Sequence, residues 1–137
     1  MNKLLLTIPI ALVLSSCMNH RVNLLETNAV ILQEVVPPEL NINTSVYEDD
    51  GNLVVSGRLS RSSLDLRQIP GHIDIEVLSP TGEELASVKA TFRSLRTWRR
   101  GPNLVAYKAE LPGTPPYGSK IKIAYHVGKD FGEGTVE

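Results

Sequence analysis

Four arginines crowd one short stretch: Arg93, Arg96, Arg99 and Arg100 surround Trp98 just ahead of Gly101 and Pro102. A guanidinium presents paired donors to phosphate or carboxylate, and an indole beside it can stack on a sugar or a cation. Two readings suit the pattern. The stretch is either a hairpin end that contacts an anionic partner (a lipid headgroup, a glycan or an acidic protein surface) or a solvated loop whose tryptophan and arginine stems cover apolar surface. Other groups offer less. His20, His72 and His126 lack the spacing of metal ligands, and no second cysteine joins them, so neither a metal nor another cofactor is expected. Asp49, Asp50 and Asn52 surround Gly51 without the closing glutamate of a calcium loop and read as an acidic turn. The serines between 56 and 63 have no Gly-x-Ser-x-Gly elbow, and no glycine motif is built to cradle phosphate. The residues therefore predict binding without catalysis.

Cys17 is the only cysteine, and its setting is specific. Met1-Asn2-Lys3 gives a positive start, and Leu4 to Leu14 is an apolar run broken only by Thr7 and Pro9. That length fits the apolar region of an export signal, whereas a spanning helix needs roughly 20 apolar residues. Leu14-Ser15-Ser16-Cys17 then places an aliphatic residue and two small ones directly before the cysteine, which resembles the lipobox of bacterial lipoproteins. The resemblance implies diacylglycerol transfer to the Cys17 sulfur, cleavage before it and acylation of the new amino group. Two or more chains, each methylene adding roughly 0.8 kcal/mol, would hold the protein stably on a bilayer. The residue after the cysteine is Met18, not the aspartate that in this family commonly favours inner-membrane retention. The resemblance thus places the protein on the outer membrane, facing the periplasm; in a bacterium with one membrane it implies that membrane's outer face.

Three segments follow: a signal peptide over 1–16, a lipidated tether over 17–23 and one domain over 24–137. Removing sixteen residues from 137 leaves 121, enough for one modest core. Without Lys3, 13 basic side chains face 15 acidic ones, a net charge of −2. No global basic footprint for nucleic acid results, and any anion site has to be local.

The elements that must position these residues read as strands. Ile42, Thr44 and Val46 alternate, 48–52 supplies turn chemistry, and Leu53, Val55, Gly57 and Leu59 resume the alternation, which predicts a hairpin. Ile73, Ile75 and Val77, a turn at 79–82, and Ala86, Val88, Ala90 and Phe92 predict another. Val105 to Leu111 and Ile121 to Val127 add two strands. The segment 24–36 mixes helical spacing with β-branched residues and reads as an edge strand stopped by Pro37-Pro38. About seven short strands with one apolar face predict an all-β, immunoglobulin-like antiparallel sandwich.

Within it, Leu111-Pro112-Gly113-Thr114-Pro115-Pro116-Tyr117, followed by alternating Ile121, Ile123 and Tyr125, resembles the approach to a late strand of fibronectin type III domains. There a tyrosine commonly forms a structural corner, and the resemblance implies that role for Tyr117. Together these features lead to a membrane-anchored, noncatalytic binding protein or accessory subunit of an envelope assembly, in secretion, pilus or cell-wall machinery. Its expected contacts are the bilayer through acylated Cys17 and an envelope protein. The alternative is a module that takes a glycan or another anionic ligand through segment 93–100.

Overall fold

Alternation of apolar and polar residues carries through into strands that each bury one face. The computed structural model describes residues 21–61, 69–94 and 104–127. Among these, nine strands run in order: β1 (Arg21–Asn23), β2 (Val30–Val35), β3 (Leu40–Asp49), β4 (Asn52–Arg61), β5 (His72–Leu78), β6 (Glu84–Thr91), β7 (Arg93–Ser94), β8 (Leu104–Pro112) and β9 (Ser119–His126). They form a five-stranded sheet, ordered β1-β3-β4-β8-β7, and a four-stranded sheet, ordered β2-β9-β5-β6. The fold is an all-β sandwich. Seven longer strands match the expected runs, and β1 and β7 are short additions at sheet edges.

Both expected hairpins form. β3 and β4 pair along their whole length and are joined by Asp50 and Gly51, at φ 53° and 79°. Two consecutive positive φ values give the turn whose twist matches the flanking strands, and glycine adopts one of them without strain. β5 and β6 are joined through 79–83, where Gly82 N donates to Ser79 O and Ser79 N to Glu83 O.

The N-terminal part departs from a purely antiparallel sandwich. Arg21–Asn23, expected at the end of the tether, pairs antiparallel with β3 as β1. A local reason is visible: the Arg21 guanidinium lies 4.5 Å from the centre of the Tyr47 ring and its Nε is 3.4 Å from Asp49 Oδ2. The Asn23 carboxamide then accepts from the Leu25 and Glu26 amides, which turns the chain toward the other sheet. Leu24 is buried on the way. β2 pairs with β9 in parallel, Val30 opposite Ser119 and Val35 opposite Ala124. One segment thus closes an edge of each sheet.

Ile73, Ile75, Ile121 and Ile123 from the four-stranded sheet meet Val46, Leu53, Val55 and Tyr107 from the five-stranded one. A smaller cluster of Leu40, Leu59, Ile69 and Val105 continues the core, and Ile42, Phe92 and Tyr125 pack against both clusters. Each such side chain contributes roughly 1.5–3 kcal/mol by leaving water. Their common consequence is two fixed outer faces.

Candidate functional site

Because strand side chains alternate, the residues between the buried ones of β3, β4 and β8 share the outer face of the five-stranded sheet. Register aligns them in rows: Asn41–Ser60–Leu104, Asn43–Arg58–Ala106 and Ser45–Ser56–Lys108, with Arg93 on the far side of Ala106. Most residues in the middle of this face are small. A groove of about 1020 Å³ results, lined additionally by Ile42, Gly57, Thr91 and Tyr107.

Gly57 lets the Tyr107 ring pack close beneath this face. It sits between Thr44 and Tyr107 on neighbouring strands, on the inner side. A Cβ there would collide with the Tyr107 hydroxyl and the Asn43 carbonyl oxygen. The Tyr107 ring fills that space and its hydroxyl shares a hydrogen bond with the Thr44 hydroxyl. Burial pushes the phenol up to about 12, against the opposing effect of the Thr44 bond, with the Glu34 charge adding slightly to the rise. Tyr107 is neutral at ordinary pH and serves as structure.

Arg58, Arg93 and Lys108 supply the charge. All three are exposed, and no carboxylate lies among the described residues that line the groove. None of the three forms an ion pair among the described residues. The acids of the same face, Asp49 and Glu110, stand toward the β3–β4 turn, where Asp49 meets Arg21 and Glu110 accepts from the Asn52 amide at 3.2 Å. A cluster of cations over hydroxyl and amide groups can hold an anion and hydrogen-bond neutral polar groups around it.

Of the residues singled out from the sequence, Arg93 belongs to this groove. Arg96, Trp98, Arg99, Arg100 and Cys17 lie outside the described residues. Tyr117 stands in the turn before β9, 76% exposed. With Gly118 at φ 85° the backbone turns there ahead of the strand, and among the described residues the Tyr117 hydroxyl has no hydrogen-bond partner. A tyrosine hydroxyl is tied to a loop instead at Tyr125, which donates to the Pro70 carbonyl oxygen at 2.6 Å and whose ring stacks on Phe92.

Strand pairing also unites two histidines far apart in sequence. His72 and His126 are cross-strand partners whose rings stack 5.6 Å apart, and their Nε2 atoms lie 3.3 and 3.1 Å from the two oxygens of Asp74. Among the described residues, no group of three or more His, Cys, Asp or Glu side chains could hold a metal ion. This cluster of close N···O contacts sits on the outer face of the four-stranded sheet.

Arg58 and Lys108 escaped the sequence reading because each is one polar residue in an alternating strand. The available signal was the run of small residues at outward positions, Ser45, Ser56, Ser60 and Ala106, which becomes a groove only once strand order is known. Comparison of the chain with protein-family models, curated proteins and solved structures found no match.

Proposed function

We propose that this chain is a lipid-anchored, noncatalytic binding protein of the bacterial envelope, held at the outer membrane through Cys17 and facing the periplasm. Its working surface is the groove of the five-stranded sheet. The observation that carries this reading is the set Arg58, Arg93 and Lys108, with no carboxylate among the described lining residues. Like charges gathered without counter-charges are held at an electrostatic cost that an anionic partner removes. A photo-crosslinking residue at Ser56, inside the groove, should capture an envelope component in intact cells. Capture should fall when the three cations are replaced by glutamine, and capture unchanged by that replacement overturns the groove as the working surface. The anchor has its own test: Cys17→Ala should abolish acyl labelling and membrane retention, and normal labelling overturns it.

A second reading, an accessory subunit of an envelope assembly, is favoured by β2. It is an edge strand of the four-stranded sheet, and Ile31 and Val35 on it are 57% and 49% exposed. An unpaired strand edge offers backbone groups to which a partner can add a strand. A crosslinker at Gln33 tests this, and a crosslink only to lipid or glycan would count against it.

A further inference from the structure

The geometry points to an acidic glycan, a sugar chain carrying repeated phosphate or carboxylate groups, as the ligand of the cationic groove. This inference rests on the groove being the working surface and adds the chemical class of what it takes. It begins with spacing. Arg58 and Arg93 both stand opposite Ala106, one on each side of β8. Neighbouring strands lie about 4.8 Å apart, so the two backbones are separated by about 10 Å, near the length of one disaccharide in an extended chain. Lys108 is one same-face step further along β8, which puts its backbone about 8 Å from each arginine. Attached at three separate backbone points beside Ala106, the three long side chains can reach different anionic groups at once. Their spread matches several anionic groups borne on one scaffold.

The floor supplies the other half of the match. Asn41, Asn43, Ser45, Ser56, Ser60 and Thr91 offer hydroxyl and amide groups that donate and accept but carry no charge. A free inorganic anion can use only the donors of such a floor, whereas the hydroxyls of a sugar chain use its donors and acceptors alike. A volume of about 1020 Å³ accommodates several sugar rings. A flat lipid surface would reach exposed cationic tips and leave the recessed floor unused. Among the described residues the aromatic ring on this outer face, Tyr47, is covered by Arg21, so recognition here works by hydrogen bonds and charge with no stacking on that ring.

The test uses the full-length lipidated protein in nonionic detergent, titrated calorimetrically with oligogalacturonate, phosphomannan, inorganic polyphosphate and neutral dextran. Binding of at least one acidic glycan is expected, roughly tenfold or more tighter than polyphosphate, with none to dextran. The preferred glycan identifies carboxylate or phosphate as the anion. Replacing Arg58, Arg93 and Lys108 together by glutamine should weaken glycan binding by roughly a hundredfold, as expected on losing charge-assisted hydrogen bonds. Ala106→Phe keeps every charge but fills the floor, and should abolish glycan binding while polyphosphate binding survives. Ser60→Phe fills the neighbouring row and replaces it if the thermal midpoint shows that Ala106→Phe unfolds. Polyphosphate bound as tightly as glycan, with neither reduced by filling the floor, overturns the glycan assignment and leaves the cationic surface standing. Binding of every anion undiminished in the triple variant overturns both. Failure of the wild-type protein to bind either acidic glycan overturns the assignment.

Discussion

On the outer face of the four-stranded sheet, Glu76 meets Lys122 at 3.2 Å, and Asp74 stands between His72 and His126. On the outer face of the five-stranded sheet, Arg58, Arg93 and Lys108 gather around small neutral residues with no carboxylate among them. Both faces belong to one sandwich and share one core. The first sets its central carboxylates against Lys122 and two histidines, whereas the second pairs charges only near the β3–β4 turn and leaves the three groove cations unpaired among the described residues. A polar face is thus diagnostic through how its charges are paired, far more than through how many it carries.

Four experiments break or sharpen that contrast. The largest effect is expected from Ile75→Ala, at a fully buried position of β5. The cavity should cost about 2–5 kcal/mol in denaturant unfolding. Probes placed on the two outer faces should still report one coincident transition, and separate transitions would show that the faces do not share a cooperative core. Next is Gly57→Val, which drives a side chain into Tyr107 and the β3 backbone. A loss of about 3 kcal/mol is expected, accompanied by loss of groove binding, with the His72–His126 face retaining its chemical shifts in the folded fraction.

Alkaline pH gives a third handle. Tyr107, pushed up to about 12, and Tyr125, raised mainly by burial, both hold their protons more tightly folded than unfolded. Their stabilisation is complete below the unfolded value of about 10 and is lost as pH rises toward 12. Tyr107→Phe should flatten the urea midpoint across that window more than Tyr125→Phe does. An equal flattening would remove the distinction between the two sheets. The smallest effect comes from the surface charges. Lys122→Gln should cost about 0.2–1 kcal/mol by breaking an exposed ion pair. The glutamine triple variant of the groove should change stability by about 0.5 kcal/mol or less, or raise it slightly as mutual repulsion is relieved. A clear loss there would mean that the groove cations serve the fold.

The strands were legible because alternation is local: Ile73, Ile75 and Val77 announce a buried face within five residues, and Asp50-Gly51 announces its turn. Partner choice was not legible. Nothing in Val30–Val35 states that its neighbour is β9 or that the two run parallel, because that pairing is decided by which sheet edge the turn at 24–29 delivers it to. The candidate site shows the same divide. Arg93 stood out in a dense arginine segment, whereas Arg58 and Lys108 acquire meaning only when β4 and β8 lie side by side. Tyr117 and Tyr125 follow the same rule: both sat in one suggestive run, and the position of the turn relative to the strand decided which hydroxyl reached a loop carbonyl.

The parallel pairing of β2 with β9 also fixes an order of events. Position 30 lies opposite position 119, so one of the earliest strands in the chain is completed by the last described one. Contacts this far apart in sequence form slowly, since a long loop must close before they reward the chain. Until β9 is in place β2 has no partner in its sheet, and the domain cannot be finished from its front end. A chain cut short before Ser119 would leave β2 and one side of β5 without the strand that lies between them, so folding of this sandwich doubles as a check that the chain extends through β9.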